Sequence, residues 1–285
     1  QVGVEASGRG ASSARPQLDI LYKDRDLIAI NKPSGLLVHR SEIDRHETAF
    51  ALQLVRNQLG QRVYPVHRLD KPTSGVLVFA RQPETASLVV EQWRQRDVEK
   101  HYLAIVRGYM PDFTHLDYAM SPPVDKYAKH ERVQPPQEAI TDFTSLAQVE
   151  IPVAIDKYPQ SRYSLIDCRP HTGRKHQIRR HLKHLSHPII GDARYGKGRH
   201  SRYFRDHMDA PRLLLHAWSL EMLHPYTGEL LTLIARPDRI MRQLFDRFDW
   251  NLALPETLLS ELQHPPHPSM DAFLLPAEVR NPDKP

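Results

Sequence analysis

The chain has 285 residues, enough for one large domain or two small ones and for a sizeable buried core. Hydrophobic residues make up 40% and charged residues 26%, which excludes fibrous and wholly disordered classes. The formal charge is +5, from 39 Lys and Arg against 34 Asp and Glu, and it points to an acidic partner such as nucleic acid only where it is clustered.

No run approaches the ~20 apolar residues that cross a membrane, and the opening stretch lacks the apolar centre of a signal peptide. Cys168 is the only cysteine, so neither an internal disulfide nor a thiolate zinc cage can form. A reducing, cytoplasmic setting is expected.

Residues 1–16, rich in Gly, Ser, Ala and Arg without periodicity, are expected to be a disordered leader. One folded domain is expected over 17–263. Apolar runs at 18–22 and 27–30 flank the polar turn 23–26 and predict a hairpin. Ala51, Leu52, Val55 and Leu59 at helical spacing, with Gly60 beyond, predict a helix over 48–59. A polar loop from His67 to Gly75 feeds the strand-like run 76–80. A helix is expected over 84–95 and a strand over 102–106. Residues 111–139 form a Pro-rich, polar insertion of a length that compact domains keep for a purpose.

Strands are expected near 143–149, 163–168, 213–223 and 230–235, and helices over 174–185 and 238–248. From 264 the Pro-rich tail is expected to be mobile. Several strands follow one another without a crossover helix. That favours an α+β fold with a mixed, largely antiparallel central sheet flanked by helices.

Clustering of charge is found between Arg174 and Lys183, which hold five Lys and Arg and no acid. On a helical projection Ile178, Leu182 and Leu185 share a core-facing stripe, while His176, Arg180 and Lys183 lie opposite. Arg179 falls at the margin, where its guanidinium can turn inward while Arg180 and Lys183 point toward phosphates. A merely solvated charged face explains the same pattern equally well. Asp70, followed by Pro72, Thr73, Ser74 and Gly75, reads on residue chemistry alone as a turn former. His171, His176, His181, His184 and His187 are dense, but they lack an H-E-x-x-H carboxylate and a cysteine partner, so no metal site is expected there.

Five blocks in order carry a more specific signal. His67-Arg68-Leu69-Asp70-Lys71-Pro72-Thr73-Ser74-Gly75 resembles the signature loop of the RluA-type pseudouridine synthases. Asn31 to His39 resembles that family's upstream motif, and Lys100-His101-Tyr102 its Lys-x-Tyr motif. Gly173 to Arg179 with His187 to Asp192 resembles its third block. Leu215-His216-Ala217 and His224 to Gly228 match its C-terminal pattern. The resemblance spans about 27 to 235 and implies the family's catalytic fold over 17–263.

The resemblance also implies roles. Asp70 corresponds to the catalytic carboxylate, as nucleophile or as base. Arg179 corresponds to its ionic partner, and Tyr102 to the tyrosine that stacks on a flipped base. Arg68 resembles the residue that enters the space left by the extruded nucleotide, a task suited to a flat cation. His67 is expected to brace the loop and Ile178 to wall the pocket. Arg174, Lys175, Arg180 and Lys183 are expected on the RNA.

No cofactor is implied, because the isomerisation has no redox step and the protein carries the carboxylate. The implied partner is RNA, with no membrane and no obligate protein partner. Arg40-Ser41, the stretch through Asp44-Arg45, Arg174-Lys175-His176, Tyr158-Pro159 and Arg162-Tyr163 resemble the branch acting on tRNA, at position 65 of the T-arm. The short irregular start also differs from ribosomal-RNA members that carry a separate RNA-binding domain there. A ribosomal-RNA uridine synthase and a catalytically silent RNA-binding module remain as alternatives.

Overall fold

The polar turn after the first strand makes its own closure. Asp24 Oδ1 accepts the amide hydrogens of Asp26 and Leu27 at 2.7 and 2.8 Å. This lets β1 (Asp19–Lys23) and β2 (Leu27–Lys32) pair antiparallel, as the sequence predicts. The structure, a computed structural model, describes residues 17–36, 50–124 and 132–265. The leader at 1–16, the upstream motif from 37, the marks at Arg40-Ser41 and Asp44-Arg45, part of the insertion and the tail from 266 lie outside the described residues.

Helix α1 (Ala51–Leu59) stops at Gly60, whose left-handed φ of 67° lets its amide close on the Arg56 carbonyl. Then come β3 (Tyr64–Pro65), β4 (Ser74–Ala80), α2 (Pro83–Arg94), β5 (Glu99–Arg107) and β6 (Phe113–Asp117). Two long strands, β7 (Ile140–Ile151) and β8 (Ser161–Pro170), precede α3 (Gln177–His184) and α4 (Gly198–His207). The described chain finishes with β9 (Leu215–Leu223), β10 (Leu230–Ile234), α5 (Arg239–Arg247) and α6 (Glu256–Leu262). No described helix is long and apolar enough to cross a membrane.

One sheet runs in the order β1-β2-β4-β9-β5-β8-β7-β6, with β3 beside β4 and β10 beside β9. Its described pairings are antiparallel except β4 with β9, which run parallel over Ser74↔His216 and Gly75↔Ala217. A side chain at Gly75 would collide with the Ala217 carbonyl, and its φ of +123° is one that only glycine adopts freely. The glycine five residues after Asp70 therefore locks the end of that loop to the sheet centre.

Central burial explains the apolar runs. On β4, Leu77 and Phe79 pack into a cluster with Ala51 and Val55 of α1. Val76, Val78 and Ala80 face the other cluster, with Val89 of α2. Both faces are covered, so the strand has no polar alternation. A third and larger cluster joins β5, β8 and β9 to Ile178 and Leu182 of α3, Phe204 of α4 and Leu244 of α5.

Several elements depart from expectation, among them α6, for which no helix was expected. Strand β6 lies within the 111–139 insertion as the edge partner of β7. Helix α4 buries only one apolar side chain, Phe204, beside the polar His200, so hydrophobic periodicity could not announce it. The basic helix begins at Gln177 rather than 174, because His176 adopts a left-handed conformation with φ +56°.

Candidate active site

Asp70 is held from three directions. The residues on either side of Arg68 anchor the loop: Leu69 is buried in the α1 cluster, and His67 stacks on Trp93 with ring centroids 4.9 Å apart. His67 Nε2 accepts the Val78 amide hydrogen at 2.9 Å, and burial lowers its pKa to about 3. The ring is therefore a neutral brace. Below the loop, the fully buried Lys32 donates to the carbonyls of Pro33, Leu36 and Lys71 at 2.9, 2.7 and 3.0 Å. The Gly35 amide also donates to the Lys71 carbonyl, and Ser34 Oγ to that of Pro72. The described part of the upstream motif, up to Leu36, is thus the floor of the Asp70 loop.

The turn itself closes when the Thr73 amide donates to the Asp70 carbonyl at 2.9 Å. Asp70 behaves as the turn former its neighbours suggest, while its carboxylate, 19% exposed, faces a cleft. Arg179 NH1 donates to Asp70 Oδ2 at 3.3 Å. Its other nitrogens are committed: Nε and NH2 donate to the two oxygens of Asp192 at 2.9 and 2.8 Å. Asp192 also accepts the amide hydrogens of Arg194 and Tyr195. The Tyr195 ring lies 5.3 Å from the guanidinium carbon of Arg179.

His176 is corrected from the solvated face to the site. Its Nε2 lies 3.7 Å from Asp70 Oδ1, and its Nδ1 is 2.9 Å from the Tyr195 hydroxyl. Burial drives its pKa down to about 4, outweighing the pull of Asp70, so the ring is neutral at pH 7. The left-handed turn that delays α3 swings it inward.

The cleft measures about 360 Å³, within the range of small-ligand sites. Around it stand Asp70, Tyr102, Arg179, Arg68, His67, Ile178, Arg174 and Lys175. Tyr102 is half-buried, and burial together with the Asp70 carboxylate raises its pKa well above 10, keeping the phenol protonated. Ile178 is 6% exposed and supplies an apolar wall. Arg68 and Lys175 are exposed, while Arg174 Nε donates to the Glu138 carbonyl.

Two expected RNA contacts do not line the cleft. Lys183 is exposed on the outer side of α3. Arg180 is a correction: its NH1 donates to the Ser121 carbonyl at 2.7 Å, tying α3 to the segment that follows β6 instead of pointing outward. The dense histidines also diverge. His171 bonds Asp142, His181 bonds Thr141 and the Tyr118 carbonyl, and His187 bonds the Arg107 carbonyl.

Among the described residues one group has ligating atoms close enough for an ion: Asp24, Asp26 and His224, within 4.8 Å. His224 Nδ1 accepts the amides of Tyr226 and Thr227, so its proton sits on Nε2 and is donated to Asp24 at 2.8 Å. Tyr22 also donates to Asp24. The group is a clasp between two turns.

Sequence reasoning assigned no role to Asp192 or Lys32, although both stand in quoted motif blocks, and it left Lys100 without one. An acid directly after the apolar run Ile189-Ile190-Gly191 was the available signal for Asp192.

Residues 26–184, more than half of the chain, match the family described as RNA pseudouridylate synthase. A Vibrio vulnificus (strain CMCP6) protein named tRNA pseudouridine synthase C is 49% identical over 245 residues, covering 85% of this chain and 98% of its own. A Pasteurella multocida (strain Pm70) protein of the same name is 51% identical over 237 residues, covering 82% and 98%. The solved structure of Human RNA Pseudouridylate Synthase Domain Containing 1 matches with a TM-score of 0.62 at 23% identity, over 89% of this chain and 97% of that one, a likeness of fold. With this much of its length matched and relatives this similar over most of both chains, the chain belongs to the RNA pseudouridylate synthase family, carrying the RluA-type domain of an RNA-uridine isomerase.

Proposed function

We propose that the protein converts a uridine of tRNA into pseudouridine with Asp70 as its catalytic carboxylate. The observation that carries this reading is a single half-buried carboxylate facing a cleft of about 360 Å³, large enough to admit a pyrimidine, 3.3 Å from a guanidinium that is itself fixed. In the reaction the C1′–N1 bond breaks, the base turns, C1′ joins C5, C5 loses its proton and N1 gains one. Nothing is oxidised or reduced. The uridine has to leave its stack first, at a cost of a few kcal/mol.

Asp70 is available to attack the nucleoside or to take a proton from it. Both tasks need the charged carboxylate, which the neighbouring guanidinium attracts. Tyr102, protonated at neutral pH, stacks on the base and can donate but not accept its phenolic proton. Arg68 is exposed at the mouth and fits the gap that the extruded nucleotide leaves. Ile178 closes the pocket, His67 braces the loop, and Arg174, Lys175 and Lys183 meet the RNA backbone.

The tRNA substrate is supported by the names of the relatives, and position 65 of the T-arm by Arg174-Lys175-His176 and the marks near Arg40. Such a substrate implies work in the cytoplasm. Mapping pseudouridine in total RNA from cells with and without the gene tests the reading. Loss confined to a T-arm uridine of tRNA is expected. Loss confined to ribosomal RNA would contradict it.

A further inference from the structure

We propose that Lys100 is a phosphodiester subsite: its ammonium grips a phosphate adjoining the uridine that enters the cleft. The proposal rests on the reading of the cleft as a uridine site. Lys100 precedes Tyr102 by two residues on β5, so both side chains leave the same face, ~6–7 Å apart along the strand. Both line the cleft. The ammonium reaches the rim, for a Cβ on the exposed Gly173 would lie 3.7 Å from Nζ. It stands between the two loops that flank the cleft, that of His67 and that of Gly173.

Among the described residues, Lys100 Nζ has no hydrogen-bond acceptor and no carboxylate partner. Burial brings its pKa down to about 8, and no acid offsets it. A half-buried ammonium without an anion carries a desolvation cost that a bound anion removes. Uracil and ribose are neutral, so the anion that an RNA can bring to this point is a phosphodiester. Arg179 cannot serve there, since its three nitrogens are spent on Asp192 and Asp70. Gly173, with no side chain, leaves the ammonium uncovered on the side from which a backbone would approach.

The test is binding of a pool of unmodified tRNA transcripts to the full chain across a salt series, for wild type, Lys100→Met and Lys100→Arg. Lys100→Met is expected to weaken binding several-fold and to flatten the slope of log Kd against log[salt] by about 0.7–0.9, one phosphate. Lys100→Arg is expected to keep the slope. At saturating RNA the single-turnover rate of Lys100→Met is expected to fall less than its kcat/KM, as for a group that binds substrate and transition state alike. Lys100→Gln replaces the Met variant if that one fails to fold. An unchanged slope and Kd overturn the proposal. So does a lost saturated rate with intact binding, which would put the ammonium in the chemical step. Because the slope needs no turnover, it is read separately from the tRNA assignment, which fails instead if wild type forms no pseudouridine in any transcript.

Discussion

Asp192 holds Arg179 by two nitrogens and leaves only NH1 for Asp70. The acid is almost fully buried and bidentate, so the guanidinium cannot swing away with its catalytic neighbour. Arg179 is thereby a fixed charge: its position is set from behind, and Asp70 meets it at the cleft wall.

Asp192→Asn keeps the shape and removes the charge. Activity is expected to fall about 100-fold in single-turnover rate, since a displaced guanidinium misplaces Asp70. Stability is expected to fall by about 1–3 kcal/mol, because a buried donor loses its charged acceptor. Urea unfolding and tritium release from C5-labelled uridine measure the two effects. A stable, fully active variant would show that Asp192 does not position Arg179.

Gly75→Ala is expected to cost about 3 kcal/mol, through backbone strain and a collision with Ala217. The collision lies at the short parallel junction of β4 and β9, directly after the Asp70 loop. Thermal unfolding tests it. Gly60→Ala is the control, because its Cβ would meet nothing and only the φ penalty remains.

Buried histidines make the fold acid-sensitive. Burial, aided by nearby Lys100, Arg107 and Arg212, lowers His67 to about 3 and both His200 and His216 to about 4. The unfolded chain, with ordinary values near 6.5, takes up these protons first. Their contribution is therefore complete above pH 6.5 and lost as pH falls toward 4, by an amount on the order of several kcal/mol. The urea midpoint is expected to drop steeply between pH 6.5 and 5. A flat midpoint there would contradict the burial of these rings.

Arg180 and Lys183 separate structure from binding on one helix. Lys183→Ala is expected to leave stability within about 0.5 kcal/mol of wild type and to reduce the salt slope of RNA binding by about 1. Arg180→Ala is expected to loosen the segment around Ser121 instead, seen as faster amide exchange there. Equal effects of both changes on the salt slope would return Arg180 to the RNA surface.

Local signals carried far. The Asp24 turn and the Gly60 stop were legible because each is satisfied within a few residues, and the apolar run of β4 because burial on both faces leaves it no polar position. Motif resemblance brought Asp70, Arg179 and Tyr102 together before any geometry. What stayed hidden is non-local. The Ser74–His216 hydrogen bond spans 142 residues, and nothing in either local pattern says that β4 and β9 run parallel. His176 was misplaced because an ideal helical projection ignores the left-handed residue that starts α3. Arg180 looked free because its acceptor is a backbone carbonyl 59 residues away, which carries no sequence signature.

In the proposed reaction the Asp70 carboxylate performs the isomerisation. Tritium release from tRNA labelled at C5 of uridine, compared between wild type and Asp70→Asn, tests it most directly. The variant is expected to fold, to bind tRNA with nearly unchanged affinity and to release no tritium above background. Turnover by Asp70→Asn at a rate comparable to wild type would contradict the account.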